Sequence, residues 1–181
     1  MIGYAICGSF CTHSRALTTL RTLKEQGYEI QPIVSEITAT QDTRFGTAKE
    51  LLAALSDITG RPVIKSIAAA EPLGPMLPLE LLIIAPCTGN TLAKMANGIT
   101  DTTVTMAAKA QLRADRPVLI GLATNDALSA NLQNLARMHT RKHISFVPMK
   151  MDDPEKKPYS LVCNFEEIPT ITASILQTKN T

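Results

Sequence analysis

Residues 79–91, LELLIIAPCTGNT, contain a hydrophobic run that stops abruptly at small and polar residues. The first part, LELLIIA, has the length and aliphatic composition of a strand buried on both faces. The second part, PCTGNT, consists of residues that favour turns and helix starts. A buried strand that ends this way is typical of parallel α/β sheets, whose ligands lie beyond the carboxyl ends of the strands.

The same alternation of strand and helix extends in both directions from this stretch. We predict strands at 2–8, 30–35, 79–85, 116–123 and 143–148, and a short one at 61–67. Helices are predicted from Thr12 to just before Gly27, over 47–58 and 92–97, from Asp101 to Ala114, from Asn125-Asp126 through Leu128, Leu132 and Leu135, and over 168–176. Segments 71–78 and 151–158 are predicted loops. The pattern predicts one α/β domain, residues 1–181, with a three-layer, doubly wound parallel sheet.

Composition indicates a soluble, cytoplasmic protein. The chain has 181 residues, a net charge of +2 and 45% hydrophobic residues, and it lacks a long basic run of the nucleic-acid or membrane type. The N-terminal IGYAIC is too short for a signal sequence, and no apolar run approaches the ~20 residues of a membrane helix. Its four cysteines have no paired spacing, so we expect reduced thiols.

Small polar residues follow four of the predicted strands. These strand ends are 8–12 (GSFCT), 35–38 (SEIT), 86–91 (PCTGNT) and 123–126 (ATND). Each sequence is ordinary for an α/β loop, but the four together favour a ligand pocket with free N–H groups for an anion. Arg44, in the loop before a helix, is a candidate clamp for an anionic substrate, although a solvated arginine is an equal alternative.

Several motifs that would identify a specific nucleotide-binding, metal-binding or catalytic site are missing from the sequence. It contains neither the P-loop pattern nor the G-x-G-x-x-G fingerprint of dinucleotide-binding folds. His13, His139 and His143 are scattered, and no metal site is predicted. Cys87 lies near a predicted helix start, which would lower the pKa of a nucleophilic thiol, but we favour a packing role. No catalytic residue is assigned.

The motifs GSFCT, IIAPCTGNT and LAKMANGITDTTVTMAAKA resemble the flavoprotein family, which includes cysteine-type decarboxylases, phosphopantothenoylcysteine decarboxylase and flavin prenyltransferase. The resemblance implies a Rossmann- or flavodoxin-like fold, assembly as trimers or multiples of trimers, and FMN at a subunit interface. Carried over residue by residue, it implies flavin-binding roles for matching positions in the four strand ends. These positions are Gly8, Ser9, Thr12, Ser35, Pro86, Thr88, Gly89, Asn90, Thr124 and Asn125.

A narrower resemblance extends along essentially the whole chain. DTRFG (42–46), AEPLGPMLPLELLIIAPCTGNT (70–91), ATNDALSAN (123–131) and DDPEKKP (152–158) are similar to the family of dipicolinate synthase B subunits. This implies that the chain and an NAD(P)-binding A subunit together oxidise dihydrodipicolinate to dipicolinate in the mother cell of a sporulating bacterium.

Three functions remain open on the sequence. The chain could be an oxidoreductase subunit whose pocket holds FMN or the dicarboxylate substrate, or a non-catalytic platform that completes the A subunit. It could also be an FMN-dependent decarboxylase or a flavin prenyltransferase. Residues 71–82 lack the histidine that the family's decarboxylases carry in this region, and this argues against decarboxylation.

Overall fold

The computed structural model describes residues 1–74 and 76–178. Two parts of the chain lie outside the described residues. They are Pro75, in the predicted loop 71–78, and residues 179–181, at the end of the predicted domain.

The order of strands and helices follows the predicted alternation. The strands are β1 (Ile2–Ile6), β2 (Ile30–Val34), β3 (Leu82–Cys87), β4 (Val118–Thr124), β5 (Ile144–Phe146), β6 (Met149–Met151) and β7 (Leu161–Cys163). The helices are α1 (His13–Glu25), α2 (Glu36–Thr40), α3 (Ala48–Thr59), α4 (Ile67–Ala70), α5 (Gly89–Ala96), α6 (Thr103–Arg113), α7 (Leu132–His139) and α8 (Ile168–Thr178). Short 3₁₀ turns at Phe10–Thr12 and Phe165–Glu167 precede α1 and α8.

The sheet confirms the doubly wound α/β fold. Its parallel part has the order β2-β1-β3-β4-β5, so the chain runs outward in opposite directions from β1 and β3. The carboxyl ends of β1 and β3 therefore form the topological switch point, where sheets of this kind bind their ligands.

Two hydrophobic clusters cover the two faces of the sheet and produce the three layers. Helices α1, α3 and α8 pack on one face, around Tyr4, Leu20 and Phe165. Helices α5 and α6 cover the other face, where Met95 and Val104 pack against β3 and β4. Because both faces are covered, β1 to β3 are buried throughout, which explains their nearly unbroken hydrophobic sequences.

An antiparallel ribbon, β6 and β7, is an addition that the sequence did not reveal. Ala123 and Thr124, at the end of β4, pair with Val162 and Leu161 of β7, and β7 pairs in turn with β6. Each ribbon strand is 3 residues long, too short for a periodic pattern to stand out.

Three local predictions were wrong. Residues 61–67 form no strand; Ile64 only makes an isolated bridge to Ile33. Thr102, rather than Asp101, caps α6, because its side chain accepts from Thr105 N, whereas Asp101 binds Lys94. The helix predicted from Asn125-Asp126 begins at Leu132, because residues 125–131 form turns around the Asp126 carboxylate.

Candidate functional site

A cleft of about 620 Å³ lies at the carboxyl ends of β1, β3 and β4. Its volume falls within the ~300–1,000 Å³ usual for small-molecule sites. Several residues predicted to bind flavin line it. They are Gly8, Ser9, Thr12, Thr88, Thr124 and Asn125.

The turn after β1 supplies hydrogen-bonding groups to the cleft. Ser9 occupies the cap position of the 3₁₀ turn, but its side chain makes no capping bond. The Thr12 hydroxyl donates to the Ser9 carbonyl at 2.8 Å, so its proton is used within the turn. Ser9 itself lines the cleft, beside N–H groups at the start of a helical segment.

The motif after β3 is divided between the strand and the start of α5. Pro86 and Cys87 belong to β3 and are buried. Thr88 caps α5, since its hydroxyl accepts from Thr91 N at 3.2 Å, and it also lines the cleft. Asn90, in the first turn of α5, is exposed and is not among the lining residues.

Gly89 is buried against a polar network that the sequence did not predict. Thr124 Oγ1 donates to Asp126 Oδ1 at 2.5 Å, and Asn131 Nδ2 donates to Asp126 Oδ2 at 2.9 Å. A Cβ on Gly89 would lie only 2.4 Å from Asn131 Nδ2. The network therefore fixes the Thr124 hydroxyl at the edge of the cleft, with its proton directed to Asp126.

Two other predicted residues lie away from the cleft lining. Ser35 is buried and shares a 2.8 Å hydrogen bond with Thr38 Oγ1. Arg44 is exposed, with its guanidinium carbon 4.8 Å from the centre of the Phe45 ring. Phe45, its neighbour, does line the cleft. The ligand roles of Ser35, Pro86, Gly89, Asn90 and Arg44, like those of the predicted residues that line the cleft, stay predictions.

The cleft also contains cations that sequence reasoning missed. Lys157 lines it and binds Asp152 Oδ2 at 2.6 Å, and this hydrogen bond raises the pKa of the lysine. Arg15 approaches from α1, with its guanidinium carbon 4.9 Å from the centre of the Phe165 ring. The charged motif at 152–158 was noticed as a resemblance, but only the β6–β7 ribbon brings its loop to the cleft.

The environment of Cys87 opposes a nucleophilic role. The side chain is fully buried, and burial is the main reason that its pKa lies well above the usual value. Burial likewise raises the pKa of Cys7 to about 11, although Thr91 Oγ1 donates to its sulfur at 3.4 Å. Cys11 is the exposed thiol and lines the cleft.

We expect thiol labelling to separate these cysteines. In the native protein at neutral pH, Cys11 should react rapidly with a disulfide reagent, because reaction requires an accessible thiolate. Cys7, Cys87 and Cys163, which are buried, should react only after denaturant is added. A Cys11→Ser variant should lose the fast phase. Fast labelling that persists at Cys87 would contradict the packing role.

The histidines make separate contacts. His13 Nε2 lies 2.9 Å from the Cys7 carbonyl, and His143 Nε2 lies 2.6 Å from Asp115 Oδ1. Across residues 1–74 and 76–178, no group of three or more His, Cys, Asp or Glu side chains is arranged to hold a metal ion. The same residues include no helix long and apolar enough to cross a membrane.

The chemistry of the cleft fits FMN. The Ser9 hydroxyl and the N–H groups that follow it suit a phosphate, with Lys157 and Arg15 as nearby cations. Phe10 and Phe45 provide apolar surface for a planar ring. Thr88 and Thr124 are placed to bind polar atoms of a ring or a ribityl chain.

Comparison with known proteins identifies relatives of this chain. The flavoprotein family model matches residues 1–179. The dipicolinate synthase B subunit of Bacillus subtilis (strain 168) is 45% identical over 168 residues, which cover 93% of this chain and 84% of the relative.

Two solved structures share the fold. The dipicolinate synthase B subunit from Bacillus halodurans C has a TM-score of 0.88 and 40% identity, covering 97% of this chain and 90% of the other. Burkholderia xenovorans DmrB in complex with FMN, described as a cubic protein cage for redox transfer, has a TM-score of 0.68 and 19% identity. That match covers 99% of this chain and 98% of DmrB, and at this identity it supports the fold alone. The chain belongs to the flavoprotein family and, within it, to the group of dipicolinate synthase B subunits.

Proposed function

We propose that this chain works as the B subunit of a dipicolinate synthase, together with an NAD(P)-binding A subunit. The pair oxidises dihydrodipicolinate to dipicolinate in the cytoplasm of the mother cell during sporulation. The observation that carries the proposal is the 45% identity to the Bacillus subtilis protein, which extends over 93% of this chain.

The cleft at the switch point is the proposed flavin pocket. Ser9 and the N–H groups after it bind the phosphate, and Thr88, Thr124 and Asn125 contact the ring and the ribityl chain. Bound FMN would supply a two-electron acceptor for converting a dihydropyridine into an aromatic ring. The chain's own residues bind and orient it and shield part of the ring from water.

The same cleft offers a second mode of binding, to the dicarboxylate itself. Arg15 and Lys157 line it, paired with Glu166 and Asp152, and each can turn to a carboxylate of the ligand, while the Ser9 hydroxyl can donate a hydrogen bond. In that case NAD(P)⁺ on the A subunit is the electron acceptor. Arg44 remains a proposed outer contact for the substrate, above Phe45.

Decarboxylation is the less favoured chemistry. The family's decarboxylases use a histidine from the segment before the strand that corresponds to β3, and residues 71–82 contain none. Among the described residues, no histidine lines the cleft. A purely structural platform for the A subunit remains the main competitor, and it predicts a colourless protein.

The test combines spectroscopy with reconstitution. The chain is purified and examined for flavin absorbance, then mixed with the A subunit, dihydrodipicolinate and NADP⁺, with and without FMN. We expect turnover only when both subunits are present and a flavin spectrum that is retained on dialysis. Thr88→Val should weaken FMN binding, because the Thr88 hydroxyl, which lines the cleft and is held by Thr91, is lost as an acceptor for the ligand.

The possible results separate the hypotheses. Full activity from the A subunit alone would reject any contribution from this chain. A need for this chain without any effect of FMN would reject the flavin pocket and support the platform. Assembly as a trimer, or a multiple of trimers, is part of the proposal and is checked on the same samples by light scattering.

A further inference from the structure

A second groove, of about 480 Å³, lies away from the flavin cleft. Its walls are formed by α6, the loop after α5 and the turn between α7 and β5, and no described residue lines both cavities. One end of the groove is a corner where Asp115 meets His143, just before β4 and β5 begin. This end therefore lies at the amino edge of the sheet, opposite the flavin cleft.

Positive charge is concentrated around this groove. Lys109, Arg113, Arg141 and Lys142 line it, with Asp115 as the one carboxylate among the lining residues described. Four cations and one anion give the lining a formal charge of +3, whereas the whole chain carries +2. The rest of the molecule is therefore slightly negative, and the groove holds the excess positive charge.

Lys109 and Arg113 carry most of the argument. They are exposed, four residues apart on α6, and neither has an ion-pair partner among the described residues. Like charges at this helical spacing repel each other by ~0.2–0.5 kcal/mol. An anion from outside the chain would remove that cost.

The corner of the groove is held in a fixed shape. Asp115 and His143 both have left-handed backbones, with φ of 56° and 65°. Asp115 is bound by Lys142 at 3.0 Å and by His143, so it is already neutralised. Arg141 is anchored by a 3.0 Å bond from Nη1 to the Met95 carbonyl. Residues with positive φ cost energy and persist where the surroundings impose them, often at functional sites.

The floor of the groove is apolar. Ala108 and Leu112 of α6 and Met95 of α5 form it, and Ile99 stands at its side with 48% of its surface exposed. The lining extends along α6 from Thr105 to Arg113, a rise of about 12 Å at 1.5 Å per residue. This length matches about two turns of a helix, or a short extended peptide.

We propose that this groove docks an acidic, amphipathic segment of the partner A subunit. Apolar side chains of the segment cover Ile99 and Leu112, while its carboxylates pair with Lys109 and Arg113. An apolar centre with a polar rim is typical of protein interfaces, and arginine, here Arg113 and Arg141, is enriched in them. The inference depends on the proposed function, since it requires a partner subunit. Docking at this edge leaves the flavin cleft open to substrate.

The test is a double charge reversal with a matched control. Lys109→Glu/Arg113→Glu is compared with Arg21→Glu/Lys24→Glu, which makes the same charge change at exposed positions of α1. Binding of the purified A subunit is measured by calorimetry at about 0.05 M and about 0.5 M salt, where screening differs strongly. We expect the groove variant to bind at least about tenfold more weakly and with less salt dependence, because charged rim contacts are lost.

Each outcome has a distinct meaning. Equal binding by the groove variant and the control overturns the groove assignment and leaves the proposed function intact. Failure of the wild-type chain to bind the A subunit rejects both. A change in the oligomeric state of the groove variant on its own, seen by light scattering, means that the groove joins copies of this chain, and this also overturns the proposal. Weaker dipicolinate binding by the groove variant, with A-subunit binding unchanged, overturns it in favour of a small anion.

Discussion

Replacing Phe165 with Ala is expected to lower the free energy of unfolding by about 3–5 kcal/mol, the range for a large buried aromatic side chain. Phe165 is 1% exposed and belongs to the cluster formed by α1 and α8 against the sheet. Its carbonyl also accepts from Thr19 Oγ1 at 3.3 Å, which ties the turn before α8 to α1. Urea denaturation followed by circular dichroism measures the loss.

Two variants act as controls for Phe165. Phe165→Leu keeps most of the buried volume and should cost clearly less. Tyr159→Ala removes an aromatic ring that is 55% exposed, so the change should stay within about 0.5 kcal/mol. A Phe165→Ala loss no larger than that of Tyr159→Ala would show that α8 does not pack against the sheet as described.

Gly89→Ala is expected to cost about 1–3 kcal/mol through overpacking, and to weaken FMN binding. Without a clash, a glycine-to-alanine change in a helix would stabilise the protein by about 0.4–1 kcal/mol. The sign of the change in stability therefore shows whether the new methyl group clashes. The new methyl group would lie 2.4 Å from Asn131 Nδ2 and 2.7 Å from Thr124 Oγ1. The network must shift, and the Thr124 hydroxyl at the edge of the cleft moves with it.

A second substitution tests this cause directly. Asn131→Ala removes the closest atom, so Gly89→Ala should cost less in that background than in the wild type. The difference between the two costs is the coupling energy of the pair, measured by thermal and urea unfolding. Stabilisation by Gly89→Ala alone would show that the network has room, contrary to the structure.

The sequence was most informative where hydrophobic periodicity and caps were strong. The buried strands were predicted to within a few residues, and α3 begins and ends at clear signals. Thr47 and Glu50 form a capping box there, and Gly60 ends the helix with φ of 69°. Such signals are local, so a single sequence contains them.

The parts that were missed depend on contacts between distant residues. The segment 125–131 forms turns rather than a helix because Asp126 binds Thr124 and Asn131, and because Leu128 N donates to the Tyr159 carbonyl at 3.0 Å. Lys157 reaches the cleft only through the pairing of β7 with β4. Tertiary contacts of this kind override local preference.

Strand β4 pairs both with the parallel sheet and with the antiparallel ribbon, and this has a consequence for folding during synthesis on the ribosome. Its first half is a parallel strand of the main sheet, but Ala123 and Thr124 at its far end are completed only by residues 161–162, about forty positions later. A nascent chain that ends after β5 therefore has every strand of the parallel sheet but lacks the part of the cleft lining that Asp152, Lys157, Ser160 and Val162 supply. We therefore expect the proposed cofactor to bind most tightly after the ribbon is translated, and to stabilise the complete chain over truncated ones.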